Sequence, residues 1–175
     1  MLSAREQFGS AMVRFGPGVY NGNPYGTNNA PLVNSGTISF RAQLYYGAST
    51  ASESSLVAVS TAPALFRAST TTAEPGTWAP GNRTLGGFLP GDTVRLQVRV
   101  WDFQYASSWD AAEASGNYAG LIGESLIFQY TIPTDPLAPP SAFVMAGFTT
   151  EVPEPSVFAL IGLGLAALVI RRRKK

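Results

Sequence analysis

The chain of 175 residues contains no cysteine, no histidine, and no lysine before Lys174. Each absence removes a class of chemistry. Without cysteine there is no disulfide framework, no thiol nucleophile and no cysteine-bound zinc or iron–sulfur centre. Without histidine there is no Ser-His-Asp triad, no HExxH zinc site and no imidazole base. The missing lysines exclude a Walker A loop and Schiff-base chemistry from the body of the chain. Positive charge is scarce there as well. Of twelve Lys and Arg, five are the last five residues, Arg171, Arg172, Arg173, Lys174 and Lys175. Residues 1–150 carry seven arginines against nine acidic side chains, a net charge of −2. Such a body lacks the basic footprint of a nucleic-acid binder. A catalyst built from it would have to use carboxylates, Tyr, Ser/Thr or Arg.

What is abundant is turn chemistry. Glycine and proline supply 18 and 13 residues, clustered between short apolar stretches, as in all-β domains with many turns. The strongest strand signal is residues 93–103, where Val94, Leu96, Val98 and Val100 alternate with Arg95, Gln97, Arg99 and Trp101. That period of two predicts one apolar face and one polar face. Residues 37–46 repeat the pattern with Ile38, Phe40, Ala42 and Leu44. Residues 124–132 do so with Leu126, Phe128, Tyr130 and Ile132. Weaker strands are expected at 11–15, 56–60, 64–68, 84–88 and 142–149, and long loops at 16–36 and 69–82. Seven or eight short strands in a body of this size predict an all-β fold, a β-sandwich with Greek-key or jelly-roll connections.

One short helix is expected within that body. Ser107-Ser108-Trp109-Asp110 fits a capping signature, Ala111 to Ala114 favour helix, and Gly116 suits a left-handed cap. Asp102, Asp110, Glu113 and Glu124 flank it. Paired carboxylates suit glycoside hydrolysis or Ca²⁺ binding. Here, however, there is no D-x-D-x-D-G loop, and capping and solvation account for the acids. No catalytic residue, cofactor or metal ligand is assigned. Trp78, Trp101, Trp109, Tyr45, Tyr46 and Tyr105 could stack on sugars, although such rings more often fill a core. Trp101 and Tyr45 lie on the polar faces of their strands. With Trp109, they are the residues expected to bind carbohydrate if any do.

The C-terminus has a different character. Residues 157–170 (VFALIGLGLAALVI) are fourteen consecutive positions without a polar side chain, nine of them Val, Ile, Leu or Phe. As a helix they would be about 21 Å long at ~1.5 Å per residue. That is short for a hydrocarbon core of ~30 Å, and a buried core helix is the competing reading. The run has no polar stripe for solvent, however, and it stops at RRRKK, whose long side chains can snorkel. Insertion of the nine large apolar residues is favoured by about 3–5 kcal/mol. A single transmembrane helix is therefore expected, with its basic end on the cytoplasmic side. The glycine pattern Gly162-x-Gly164-x-x-Ala167 inside it is no dinucleotide fingerprint, because no βαβ unit surrounds it.

Directly before the run stands Val152-Pro153-Glu154-Pro155-Ser156. VPEPS, a short apolar segment and a terminal basic block, in that order, resemble the PEP-CTERM sorting signal of exopolysaccharide-producing Gram-negative bacteria. The resemblance covers residues 152–175. It implies that Pro153, Glu154 and Pro155 form the recognition motif, that 157–170 span the membrane and that Arg171 to Lys175 stop transfer. It also implies a partner, exosortase, an integral-membrane processing enzyme. Physical chemistry agrees: Pro153 and Pro155 disfavour helix at Val152 and Glu154 and keep the motif extended. The segment from Val94 to Pro133 resembles, less specifically, β domains carried by such proteins.

The expectation is a domain of residues 1–150 followed by a sorting signal at 151–175. The body would lie on the periplasmic side of the inner membrane, and at the cell surface or outside the cell after processing. Residues 1–15 show no apolar stretch of a secretory signal, so the N-terminus is expected to be incomplete. The body is read as a structural, matrix-associated protein and not as an enzyme. The alternatives are an exopolysaccharide-binding module with the same anchor, or a carboxylate-dependent glycosidase. Trp101→Ala and Trp109→Ala would test the first of these.

Overall fold

In the computed structural model, the described residues are 11–15, 24–25, 32, 34, 38–68, 76–78, 81–115, 121–134 and 148–150. They form ten strands, a 3-10 turn at Glu53–Ser55 and one α-helix. The strands are β1 (Ala11–Phe15), β2 (Pro24–Tyr25), β3 (Phe40–Ala48), β4 (Val57–Ala58), β5 (Ala64–Leu65), β6 (Gly81–Leu85), β7 (Thr93–Asp102), β8 (Ile122–Glu124), β9 (Phe128–Thr131) and β10 (Phe148–Thr149). The helix, α1, is Trp109–Ser115. The all-β class with one short helix is therefore found.

The centre of the fold is a six-stranded sheet in the order β4-β3-β7-β8, with β5 also on β3 and β9 also on β7. The long antiparallel pair β3–β7 organises it, from Phe40↔Asp102 to Ala48↔Val94. These are the two strands with the clearest alternation, and each sits between neighbours where its apolar side chains are covered. Two smaller pairs stand beside the sheet, β1–β6 antiparallel and β2–β10 parallel. A Pro90-Gly91 turn feeds β7. Gly91 has φ +93°, and the Asp92 N–H donates to the Leu89 carbonyl at 3.0 Å. Proline second and a positive-φ glycine third is the type II turn requirement.

The aliphatic face of β7 behaves as its period predicts. Val94, Leu96, Val98 and Val100 are buried with Phe40, Ala42, Leu44, Phe66, Trp78, Leu85 and Ile132. The other face does not. Instead of a solvated polar surface, Trp101, Tyr45 and Leu56 form a second core, covered by Trp109 and Ala112 of α1. Gln97 and Arg99 are buried on this face as well. The cause is the helix crossing, whose packing on β7 two-strand periodicity cannot reveal.

Other departures have local causes. The strand expected at 84–88 runs instead over Gly81–Leu85, because the backbone turns at Gly86 and Gly87, the latter with φ +84°. The strand expected at 124–132 is split. Ser125 Oγ accepts the Val98 N–H at 2.9 Å, and the chain steps out of the sheet, leaving Leu126 79% exposed. Leu126 thus leaves the inward face assigned to it. Pro24–Tyr25 and Trp78 fall in stretches expected to be loop. Trp78 is nevertheless fully buried, with its ring 5.4 Å from Phe66. The helix begins one residue later than the capping signature suggested: Ser108 Oγ, not Ser107, accepts the Ala111 N–H at 3.2 Å. Among the described residues no helix is long and apolar enough to cross a membrane. The expected span at 157–170, like the motif at 152–156 and the basic tail, lies outside those residues.

Candidate functional site

Three elements distant in sequence meet over the helix-covered face of the sheet. The 3-10 turn contributes Ser52, Glu53 and Ser54, α1 contributes Asp110 and Glu113, and β8 contributes Glu124. With Tyr45 and Arg99 they line an open cleft of about 900 Å³. Helix spacing of three places Asp110 and Glu113 on one side of α1. Sheet register places Glu124 directly opposite Arg99.

Arg99 is the hub. Its Nε donates to Gln97 Oε1 at 2.9 Å and lies 3.7 Å from Glu124 Oε2. Nη1 is 3.9 Å from Asp110 Oδ1, and Nη2 donates to the Glu53 carbonyl at 3.5 Å. The guanidinium also stacks 4.2 Å from the Tyr45 ring centre and 5.7 Å from that of Trp109, two cation–π contacts. Gln97 continues the network, its Nε2 donating to Glu53 Oε1 and to the Ser125 carbonyl. Two carboxylates thus pair with one buried cation, Glu53 and Glu113 line the same cleft, and the cleft retains a negative balance.

The surroundings set the protonation of two groups. Burial, followed by the negative charge of Asp110, pushes the Tyr45 hydroxyl up to about 12, so it stays a neutral donor. Burial raises Glu124 as well, helped by the nearby Glu53 and Glu113 and opposed by Arg99. A raised carboxyl binds its proton more tightly in the folded state. Its stabilising contribution is complete below the unfolded value near 4.5 and is lost as pH rises through the folded value. Glu124→Gln should therefore melt higher than the parent at pH 7, with the difference closing toward pH 4. Thermal melts across that range check this, and a constant offset would contradict it.

The carboxylates singled out in the sequence divide. Asp110, Glu113 and Glu124 come together, whereas Asp102 belongs to a turn, accepting from the Ser39 and Gln104 N–H groups. Glu53 was missed, since nothing in its Ser-rich surroundings points 46 residues ahead to Arg99. Asp110 and Glu124 both reach the Arg99 guanidinium, at 3.9 and 3.7 Å. Among the described residues, no group of three or more His, Cys, Asp or Glu is disposed to hold a metal ion.

The aromatic candidates are placed differently from the expectation. Trp101, Trp109 and Tyr45 are 0%, 2% and 3% exposed and form the second core. Trp101 Nε1 donates inward to the Ala106 carbonyl at 3.0 Å. In this arrangement they form no exposed ring platform, because α1 packs its own Trp109 and Ala112 against Trp101 and Tyr45.

The comparison with known families concerns the other end of the chain. Residues 151–174 match the family model for the PEP-CTERM protein-sorting motif. The chain therefore carries a PEP-CTERM sorting signal, and Pro153, Glu154 and Pro155 fall within it. There is no match among curated proteins and none among solved structures.

Proposed function

We propose that the chain is an exported precursor whose C-terminal signal is read by exosortase. Residues 157–170 hold it in the inner membrane, with the basic tail in the cytoplasm and the β body on the periplasmic side. Processing then delivers the body to the cell surface or the extracellular matrix, where it serves as a structural component. The observation that carries this reading is the sorting motif at 151–174, directly behind a folded β body. We read the body as a sandwich, a reading supported by Leu85 of β6 in the Val94–Val100 core and Phe148 of β10 packed against it.

Pro153 and Pro155 keep the recognition stretch extended, and Glu154 gives the processing enzyme one charge to read. Replacing Glu154 with Gln, or Pro155 with Ala, should leave a full-length, membrane-bound form in a host that has exosortase. Maturation of both variants at the parental rate would contradict the reading.

A second reading keeps the anchor and makes the body an exopolysaccharide-binding module. Burial of Trp101, Trp109 and Tyr45 moves its contact from a ring platform to the cleft. The Asp110, Glu113 and Glu124 carboxylates, the Tyr45 hydroxyl and the Ser52 and Ser54 hydroxyls suit a polyhydroxylated chain. Glu113→Ala should then abolish retention on the host polysaccharide. Equal retention of variant and parent, or none by either, removes this reading.

A further inference from the structure

The exposed apolar side chains of the body are unevenly placed. Among the described residues, the large ones are Ile38, Val57, Leu65, Phe103, Tyr105 and Leu126. Four of them gather at one end of the central sheet, where β7 finishes and β3 begins. The Phe103 N–H donates to the Ser39 carbonyl, which places Ile38 next to the turn carrying Phe103 and Tyr105. Leu65 pairs with Arg41 across β5 and β3, and the Arg41 guanidinium lies 4.8 Å from the Phe103 ring centre. Both strongly exposed aromatics, at 42% and 47%, are in this group.

The chain also leaves the body from this end. β8 pairs with Arg99 to Trp101, immediately before the Phe103 turn, and β10 lies beside β8. Thr150, the next residue, is fully buried, so the body holds the chain up to that point. Seven residues lead from Thr150 to Val157, where the apolar run starts. Fully extended they reach at most about 25 Å. A compact body of 150 residues has a radius of gyration of about 15 Å and is therefore roughly 40 Å across. The tether is shorter than the body is wide, so the end opposite the exit cannot be the one that faces the bilayer.

We infer that this end of the sheet docks on the membrane interface, an inference that rests on the anchored reading of residues 157–170. Tyr105 is of the ring type that favours the headgroup level, and Phe103 adds apolar area beside it. The Arg41 guanidinium, stacked on Phe103, supplies a positive charge for anionic phosphates at the same level. Ile38 and Leu65 add apolar area at the same depth. The body is held against the bilayer before processing rather than swinging free on its tether.

The lack of cysteine in the native chain makes the test direct. Single nitroxide labels are placed through Tyr105→Cys at the docking end, Ala48→Cys on the opposite, exposed end of β3, and Leu163→Cys in the apolar run. The full chain is reconstituted in nanodiscs of phosphatidylethanolamine and phosphatidylglycerol. Docking predicts an oxygen-to-nickel accessibility ratio at 105 well above that at 48. Equal ratios at 105 and 48, with the label at 163 in lipid, overturn the docking and leave the anchor intact. A water-accessible label at 163 overturns the anchor and the docking with it. Dipolar broadening between two copies at 105 without lipid contact overturns the docking in favour of self-association.

Discussion

Replacing Trp101 with alanine should cost the full chain about 3–5 kcal/mol of folding stability. The side chain is completely buried between β7 and α1, and its indole N–H holds the Ala106 carbonyl. Truncation opens a cavity against Tyr45, Leu56, Trp109 and Ala112 and removes the bond that fixes the start of the helical crossing. A loss of this size is a large part of the ~5–15 kcal/mol available to an ordinary domain. It corresponds to a fall in melting temperature of roughly 6–20 °C. Denaturant titration in detergent, followed by tryptophan fluorescence, measures it. Tyr105→Ala, at an exposed turn, should change the midpoint little. A loss below about 1 kcal/mol for Trp101→Ala would mean that α1 does not close a second core.

Arg99→Met should have the next largest effect, and its effect should depend on pH. Methionine retains much of the buried stem but removes the cation shared by the Asp110 and Glu124 carboxylates. Breaking a fully buried pair costs about 3–5 kcal/mol. The Asp110 and Glu124 side chains are 74% and 43% exposed, so screening reduces the loss to about 1–3 kcal/mol at neutral pH. Without Arg99, the only influence that lowers Glu124 is gone, and its proton affinity in the folded state rises further. The variant should therefore lose stability more steeply than the parent as pH rises from about 4.5 to 7. Toward pH 4 the gap should narrow to the part supplied by the hydrogen bonds to Gln97 and the Glu53 carbonyl and by the stacking on Tyr45 and Trp109, which do not titrate. Parallel stability–pH curves would show that Arg99 is held by packing alone.

Periodicity located β3, β7 and the aliphatic core, because a period of two sustained over nine or ten residues fits a half-buried strand and no helical spacing. It also located α1 to within a residue of its cap, since Ser followed by Ala-rich sequence is a local signal. It misread the second face of β7. Arg95, Gln97 and Arg99 look solvated in sequence, and only the helix packed over Trp101 reveals that Gln97 and Arg99 are buried partners of Glu53 and Ser125. Trp78 was hidden for a similar reason: a single aromatic among Thr, Pro and Gly has no period, yet it is buried against Phe66. The cleft was half legible. Asp110, Glu113 and Glu124 lie close to the helix in sequence, but Glu53 joins them only through tertiary contact. The sorting signal was legible because its parts are contiguous and their order is itself the information.

The most direct test of the sorting assignment is the intact mass of the chain recovered from two otherwise identical hosts, one with exosortase and one without it. The account predicts a shortened product in the first host, lacking the apolar run of 157–170 and the basic residues 171–175, and extractable without detergent. In the second host it predicts the full-length chain in the membrane fraction. Full-length chain in both hosts, or the same shortened product in both, would contradict it.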